Sequence, residues 1–258
     1  MLVSFLLMVF SEKIYAADTI QSYPDLLLDD VQYVLTKPSR WHTDEWKNLA
    51  WASLSVISAA TILDAPIRDE MRHQPNGNEF MLTIQRFGAA YSIGVVSGFY
   101  IAGSLANNDT AIRVAQDSLS ASIIASGLIA PTIKFIVGRN RPYENVGTAT
   151  FNTFSGSSLN SSFPSGHTTE AFTLASVISS HYEESWIQYS SYTVATLVGI
   201  ARIYNDAHFT SDVLAGAFIG TWVGQSVAAH NQTKRDGKLI LMPETSQDLI
   251  GISIVGNF

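Results

Sequence analysis

Six long stretches with little charge alternate with polar segments along this chain. Each stretch is continuous and rich in Ala, Ser and Gly, without the strict alternation of apolar and polar positions that marks a half-buried strand. Such composition favours helices that pack closely against one another. The pattern therefore predicts an all-α fold, a six-helix bundle, with helices at residues 48–63, 87–106, 118–133, 171–180, 185–200 and 213–229.

The segments on either side of this helical region have a different composition. Residues 18–47 are mixed and polar and contain two prolines, which predicts a connecting segment that packs on the surface. Residues 238–242 and 249–255 are short runs rich in Leu, Ile and Val, which predicts a β-like hairpin or a docked extension. We therefore divide the chain into an N-terminal connecting segment at 18–47, a helical domain at 48–230 and a C-terminal tail at 231–258.

The first 17 residues resemble an export signal. An apolar run at 2–10 is followed by polar residues and by the small pair Ala16 and Ala17, which predicts cleavage near Ala16. No basic residue precedes the run, and Ile14 or Tyr15 occupies the position where a small residue is preferred. A short buried or interfacial helix is therefore the alternative.

The hydropathy of the chain leaves its relation to a membrane open. A helix needs about 20 apolar residues to span a bilayer, and only the stretch at 87–106 has that length. A mean hydropathy of +0.15 with 14% charged residues is low for a mostly transmembrane chain. Two arrangements remain, a membrane-embedded bundle and a soluble, exported one.

Charge and composition exclude several classes of function. The net charge of -7 and the pI near 5.3 provide no basic surface for a nucleic acid backbone. The chain has no cysteine, which rules out disulfides, thiolate zinc sites and cysteine nucleophiles. Catalysis would have to depend on His, Ser, Lys, Arg or carboxylate side chains.

Two basic residues stand near the end of the third apolar stretch. Lys134 and Arg141 are seven positions apart, about two helical turns, so both can lie on one face of a helix that ends at Pro142. An isolated pair of this kind is more often a solvated helix end whose charge complements the helix dipole.

A second group of residues, Phe163 to Thr169, lies where a polar loop gives way to an apolar helix. Pro, Ser and Gly at such a junction suit the first turn of a helix, whose free N–H groups favour an anion. His167 would then lie beside that anion. A lone histidine here is more often a capping or surface residue.

The third group lies between the fifth and sixth stretches. His208 and Asp212 are four apart and can meet on one helical face, where the carboxylate accepts a proton from one imidazole nitrogen and leaves the other as a nucleophile. An ordinary surface ion pair is the alternative. Arg202 ends the fifth stretch, so two antiparallel helical hairpins would place all three groups at one end of the bundle.

These residues form three ordered motifs: Lys134, six residues, then Arg141-Pro142; Pro164-Ser165-Gly166-His167; and Arg202, five residues, His208, three residues, Asp212. The motifs resemble those of the type 2 phosphatidic acid phosphatase (PAP2) superfamily, which also includes bacterial class A acid phosphatases and vanadium haloperoxidases. One position departs from the family pattern, because Ala201 stands where the family has Ser before the arginine. This puts the fine positioning of the phosphate in doubt.

The resemblance implies a role for each residue. Lys134, Arg141 and Arg202 would bind phosphate oxygens, and the Ser165 side chain and the Gly166 N–H would add donors. His208 would attack phosphorus while Asp212 fixes its tautomer, and His167 would protonate the leaving alkoxide and then activate water. The resemblance implies that no metal and no cofactor is needed.

The resemblance also limits the substrate. The uncharged helices favour the lipid phosphatase branch, with phosphatidate, phosphatidylglycerophosphate or a polyprenyl diphosphate as substrate. The alternatives are a soluble periplasmic acid phosphatase, a vanadium haloperoxidase and a non-catalytic envelope protein. We expect an inner-membrane protein whose active site faces the periplasm, or a soluble periplasmic one.

Overall fold

The computed structural model describes residues 23–74, 78–236, 240–246 and 249–255, and over these ranges helices dominate the fold. The all-α fold class is confirmed. The helices are α1 Tyr23–Thr36, α2 Thr43–Ile62, α3 Asp64–Met71, α4 Glu79–Ile84, α5 Ala90–Ala106, α6 Asp109–Ser122, α7 Ala130–Val137, α8 Gly166–His181, α9 Ser185–Tyr204 and α10 Thr210–Asp236. Strands β1 Ile240–Ser246 and β2 Leu249–Val255 pair antiparallel in the tail.

The stretch predicted at 118–133 belongs to the longest apolar helical run in the described chain. Helix α6, a π-helical turn at Ile123–Ile129 and helix α7 follow one another without a break. Pro131 has no N–H to donate to the carbonyl four residues earlier, which explains why the regular helical pattern is interrupted here. The combined run, Asp109–Val137, is long and apolar enough to cross a membrane.

The stretch at 87–106, by contrast, is not one straight helix. A 3-10 turn at Gln85–Gly88 precedes α5, and the helical segment Glu79–Gly88 meets α5 at an angle of 57°. The bend lies where the turn touches α8, because a Cβ atom on Gly88 would stand 2.2 Å from the carbonyl oxygen of His167. Helices α2 and α3 form a second bent pair at 55°, so the described residues contain one to three possible spans.

Helix α1 lies in the segment that was predicted to pack on the surface, and the structure differs from that prediction. Val34 is fully buried in a cluster with Val177 of α8 and Val223 of α10. The apolar residues of α1 recur at helical spacing and cover the far end of the bundle. The predicted export signal at 1–17 lies outside the described residues.

Helices α8 and α10 form the centre of the bundle. Gly216, Gly220 and Gly224 make a stripe of small residues on α10, and a Cβ at Gly220 would stand 2.3 Å from the carbonyl oxygen of Thr169. The absence of side chains along this stripe lets the two backbones approach closely. As a result the beginning of α10 lies against the beginning of α8, and the Ser165 N–H donates to the Asp212 carbonyl at 2.9 Å.

Candidate active site

The predicted site residues lie at one end of the bundle, where α7 and α9 end and α8 and α10 begin. Lys134 is in the last turn of α7. Arg141 is not on the same helix, because α7 ends at Val137 and Gly138 caps it in the left-handed conformation, with φ +62°. The prediction that Lys134 and Arg141 share a helical face is therefore wrong. The two residues reach the site from a helix and from the loop after it.

Gly138 is the residue that makes this turn possible. A Cβ atom at this position would lie 1.7 Å from the carbonyl oxygen of Asn152, so the loop at 147–162 can fold back only over a glycine. Arg141 then binds this loop, donating from Nη2 to the Ser161 hydroxyl at 3.0 Å. The loop thus holds Arg141 beside the start of α8.

Lys134 is held at the same place by backbone carbonyl groups. Its ammonium donates to the carbonyl oxygens of Ser161 at 2.6 Å and Pro164 at 2.5 Å. A Cβ atom on Gly166 would lie 3.7 Å from Cε of Lys134. The cation therefore stands beside the first turn of α8, where unpaired backbone N–H groups also favour an anion.

Arg202 comes from the last turn of α9 and is only 9% exposed. Its Nη1 donates to the side-chain oxygen of Gln85, but its Nε is buried without a hydrogen-bond partner in the described structure. Burial, together with the charge of Arg141, lowers the pKa of Arg202 to about 10. A buried donor of this kind can bind an incoming anion without breaking an existing bond.

His208 is buried just before α10, and its ring orientation is fixed by a backbone group. Nδ1 lies 2.7 Å from the carbonyl oxygen of Ser162. A carbonyl can only accept, so Nδ1 carries the proton and Nε2 keeps a free lone pair. Burial lowers the pKa of His208 to about 3 in spite of the opposing effect of Asp212, so the ring is neutral at pH 7.

Asp212 does not contact His208 in the way predicted from their spacing. Helix α10 begins only at Thr210, so the two residues do not share a helical face, and Nδ1 is 3.8 Å from Oδ2. Asp212 Oδ2 instead accepts from the Ser162 hydroxyl at 2.5 Å and from the Phe209 N–H at 2.8 Å. Burial opposes ionisation of this carboxyl, but the nearby imidazole of His208, the charge of Arg139 and the hydrogen bond from Ser162 hold its pKa below its usual value. Asp212 therefore acts on His208 as a nearby charge.

Arg139 and Asp64 are residues of the site that the sequence reasoning missed. Arg139 donates to Asp212 Oδ1 at 2.7 Å and to Asp64 Oδ2 at 2.8 Å, and all three side chains are buried. Asp64 in turn accepts from the Ser211 N–H and hydroxyl. A signal was present in both cases, since Arg139 is a strong base two positions before the motif arginine and Asp64 is an acid at the end of an apolar stretch.

His167 lies in the first turn of α8 among the basic residues. Burial and, in decreasing order, the charges of Arg202, Arg141 and Lys134 together lower its pKa to about 4. All three cations therefore act on this one imidazole. A phosphate bound among them would cancel much of this effect and raise the pKa of His167 again.

The serine of the second motif is fully buried. Ser165 accepts a hydrogen bond from the Thr168 hydroxyl at 2.9 Å, which leaves its own proton free to be donated. Ala201, where the family has serine, is also fully buried, so the missing hydroxyl leaves no exposed gap.

Among the described residues, one group has the ligands for a metal ion: Asp29, Asp30 and His230. It lies about 20 residues along α10 from the site, roughly 30 Å away. Lys234 and His230 both bind the Asp29 carboxylate directly, so the group is organised as an ion-pair network.

Three cations and the start of a helix thus lie near a neutral imidazole, an arrangement that suits the binding of an anion. Residues 118–236, which include every predicted site residue, match the sequence model of the PAP2 superfamily. This part of the chain belongs to that superfamily.

Several known proteins are similar to parts of this chain. A lipid A 1-phosphatase of Porphyromonas gingivalis is 46% identical over 66 residues, 25% of this chain and 15% of that protein. A lipid A 1-phosphatase of Rhizobium johnstonii is 35% identical over 106 residues, 39% of this chain and 41% of that protein. The chain thus spans less than half the length of these curated relatives. The crystal structure of Aquifex aeolicus LpxE is similar over 65% of this chain and 95% of that chain, with 25% identity and a TM-score of 0.50.

Proposed function

We propose that this protein is a phosphatase that hydrolyses the phosphate monoester of a lipid through a phosphohistidine on His208. The observation that carries the proposal is the state of His208, a neutral imidazole with Nε2 free, beside an anion site. A phosphoryl group is strongly anionic, so its transfer requires fixed positive charge around its oxygens and an uncharged nucleophile. Lys134, Arg141 and Arg202 provide that charge from side chains, a task that bound metal ions perform in other phosphatases.

The first chemical step forms a bond between Nε2 of His208 and phosphorus. The bond from phosphorus to the ester oxygen breaks at the same time, and His167 in its protonated form gives its proton to the departing oxygen. The imidazolium that forms on His208 is stabilised by the Asp212 carboxylate nearby. The alcohol leaves, and the phosphoryl group stays on His208.

The second step returns the enzyme to its starting state. His167, now neutral, takes a proton from water, and the water oxygen attacks phosphorus as the bond to Nε2 breaks. The products are inorganic phosphate and an imidazole with its lone pair restored. Neither step changes an oxidation state, and the proton that His167 gives in the first step is regained in the second.

The comparisons support a lipid as the substrate. Two curated relatives are named lipid A 1-phosphatases. We therefore propose the anomeric phosphate of a lipid A-type glycolipid as the first substrate to assay, with phosphatidate, phosphatidylglycerophosphate and a polyprenyl diphosphate beside it. Release of inorganic phosphate by purified protein in detergent and EDTA tests the proposal. Equal release by wild type and His208→Ala would contradict it.

We also propose that the active site faces the periplasm. Apolar helices and lipid phosphatase relatives support association with a membrane. The chain has no cysteine, so single cysteines can report topology without background. A cysteine at Ser157, in the loop beside the site, should react with an impermeant maleimide in intact spheroplasts. Labelling only after the membrane is permeabilised would place the site in the cytoplasm.

A further inference from the structure

An apolar cavity of about 220 Å³ lies on the flank of α8, between the start of α5 and helix α9. No charged side chain lines it. Its walls include Phe87, Ala171, Leu174, Ile178 and Val194. Its width depends on small residues, because Ala171, Ala175 and Ala195 stand where larger side chains would fill the space.

The cavity lies along the same face of α8 as His167. Along α8, Ala171, Leu174, Ala175 and Ile178 follow His167 by four, seven, eight and eleven residues, which places all of them on one stripe of the helix. The stripe runs from His167 down the bundle for about 16 Å. Phe87 lines the cavity and is the chain neighbour of Gly88, which packs on the backbone of His167.

We propose that this cavity binds the hydrocarbon chain carried by the leaving alcohol of the substrate, an inference that rests on the proposed phosphatase function. His167 is the group that protonates the leaving oxygen, so the alcohol part of the substrate must extend from the side of His167. The cations bind the phosphate at one end, and the uncharged groove begins within one helical turn of His167. This separation of charged and apolar surface matches an amphiphile, whose anionic head and hydrocarbon tail are joined at the ester oxygen.

Two substrates separate tail binding from catalysis. Long-chain and short-chain lysophosphatidate have the same head group, and the variant Val194→Phe adds bulk to a lining residue that is already partly exposed. We expect kcat/KM for the long-chain substrate to fall about tenfold. The added ring should displace about two methylene groups of the chain from the cavity, and the free energy of burying them accounts for a change of this size. The short-chain substrate should keep its wild-type kcat/KM, which also shows that the variant is folded. Thr193→Phe adds the same bulk at the neighbouring exposed position of α9 and should change neither value.

An equal loss for both substrates, or an undiminished preference for the long chain in Val194→Phe, would overturn the proposal. If the wild type hydrolyses neither these two substrates nor the lipid phosphates named above, the proposed function fails, and the groove is then tested by binding alone. Calorimetry with a long-chain alkylphosphonate should show tighter binding to wild type than to Val194→Phe. Equal binding would remove the groove from the substrate site.

Discussion

Arg139 donates to Asp212 at 2.7 Å across 73 residues of sequence, and both side chains are almost completely buried. The other arm of the same guanidinium binds Asp64. One arginine therefore neutralises two buried carboxylates, and it does so from the loop that also carries Arg141. The contact joins the start of α3, the loop after α7 and the start of α10 into one unit beside His208.

We predict that Arg139→Met destabilises the fold strongly, because it leaves Asp64 and Asp212 buried without a counter-charge. Breaking a buried pair in this way typically costs about 3–5 kcal/mol. Thermal unfolding in detergent measures the change. Lys47→Met is the control, since the Lys47–Asp44 pair is 64% and 85% exposed and its loss should cost less than about 1 kcal/mol. Similar unfolding temperatures for the two variants would show that the buried network contributes little.

Arg202 should act mainly on capture of the phosphate group. We predict that Arg202→Lys keeps the charge but loses the Nε donor and the planar fork, which raises the Kd for inorganic phosphate by about 10–100-fold. Isothermal titration of wild type and variant with phosphate gives the two values. The variant Arg113→Lys makes the same change on α6, outside the three motifs, and should bind phosphate as wild type does. Unchanged binding by Arg202→Lys would exclude the arginine from the anion site.

The loss of rate on replacing His167 should be larger for a leaving group that needs a proton in order to depart. An alkoxide needs a proton as it departs, whereas p-nitrophenolate does not. We predict that His167→Ala lowers kcat/KM for a lipid phosphate by about 10²–10⁴-fold. The kcat/KM for p-nitrophenyl phosphate, which reports only the steps up to release of the leaving group, should fall much less. The ratio of the two rates in wild type and variant is the measurement, and an equal loss on both substrates would contradict a general acid role.

The depressed pKa of His208 makes stability depend on pH in a defined direction. The unfolded chain binds a proton to this imidazole near pH 6.5, whereas the native protein binds it only near pH 3. The unfolded state therefore gains a proton first as pH falls, and stability decreases from pH 6.5 towards pH 3 by about 1.4 kcal/mol per unit.

The pH dependence of wild type alone does not isolate this effect. Burial raises the pKa of Asp30 to about 7, which acts in the opposite direction over the same range. The test is the difference in unfolding free energy between wild type and His208→Gln, measured from pH 6.5 to 4.5. We expect wild type to lose stability relative to the variant as pH falls, and a constant difference would contradict the assignment.

The helices could be predicted from composition because each is a continuous low-charge run bounded by polar segments. The contribution of α1 could not, since Val34 and Asp30 are buried through contact with α6, α8 and α10, far away in sequence. The bend before α5 also depends on a contact between residues far apart in sequence. It depends on the close approach of Gly88 to His167, and no local pattern indicates that contact.

The residue types of the site followed from the motifs, but their local geometry did not. Spacing of four suggested that His208 and Asp212 share a helix, yet α10 starts between them and the carbonyl of Ser162 takes the imidazole proton. Spacing of seven suggested the same for Lys134 and Arg141, yet Gly138 ends the helix. Arg139 is a strong base beside an apolar helix, the same feature that singled out the motif residues in the sequence. Its two carboxylate partners, Asp64 and Asp212, are distant in sequence and could be identified only from the structure.

Trapping the phosphoryl group on the protein tests the central claim most directly. Purified protein should be mixed with a phosphate-labelled lipid, quenched in alkali, where phosphohistidine survives, and digested for mass spectrometry. We predict that the wild-type peptide containing His208 carries a phosphoryl group. With p-nitrophenyl phosphate as the donor, the amount of this phosphopeptide should increase in His167→Ala. It should be absent in His208→Gln. Turnover by wild type with no phosphorylated His208 peptide, or the same label in His208→Gln, would contradict a covalent mechanism at this residue.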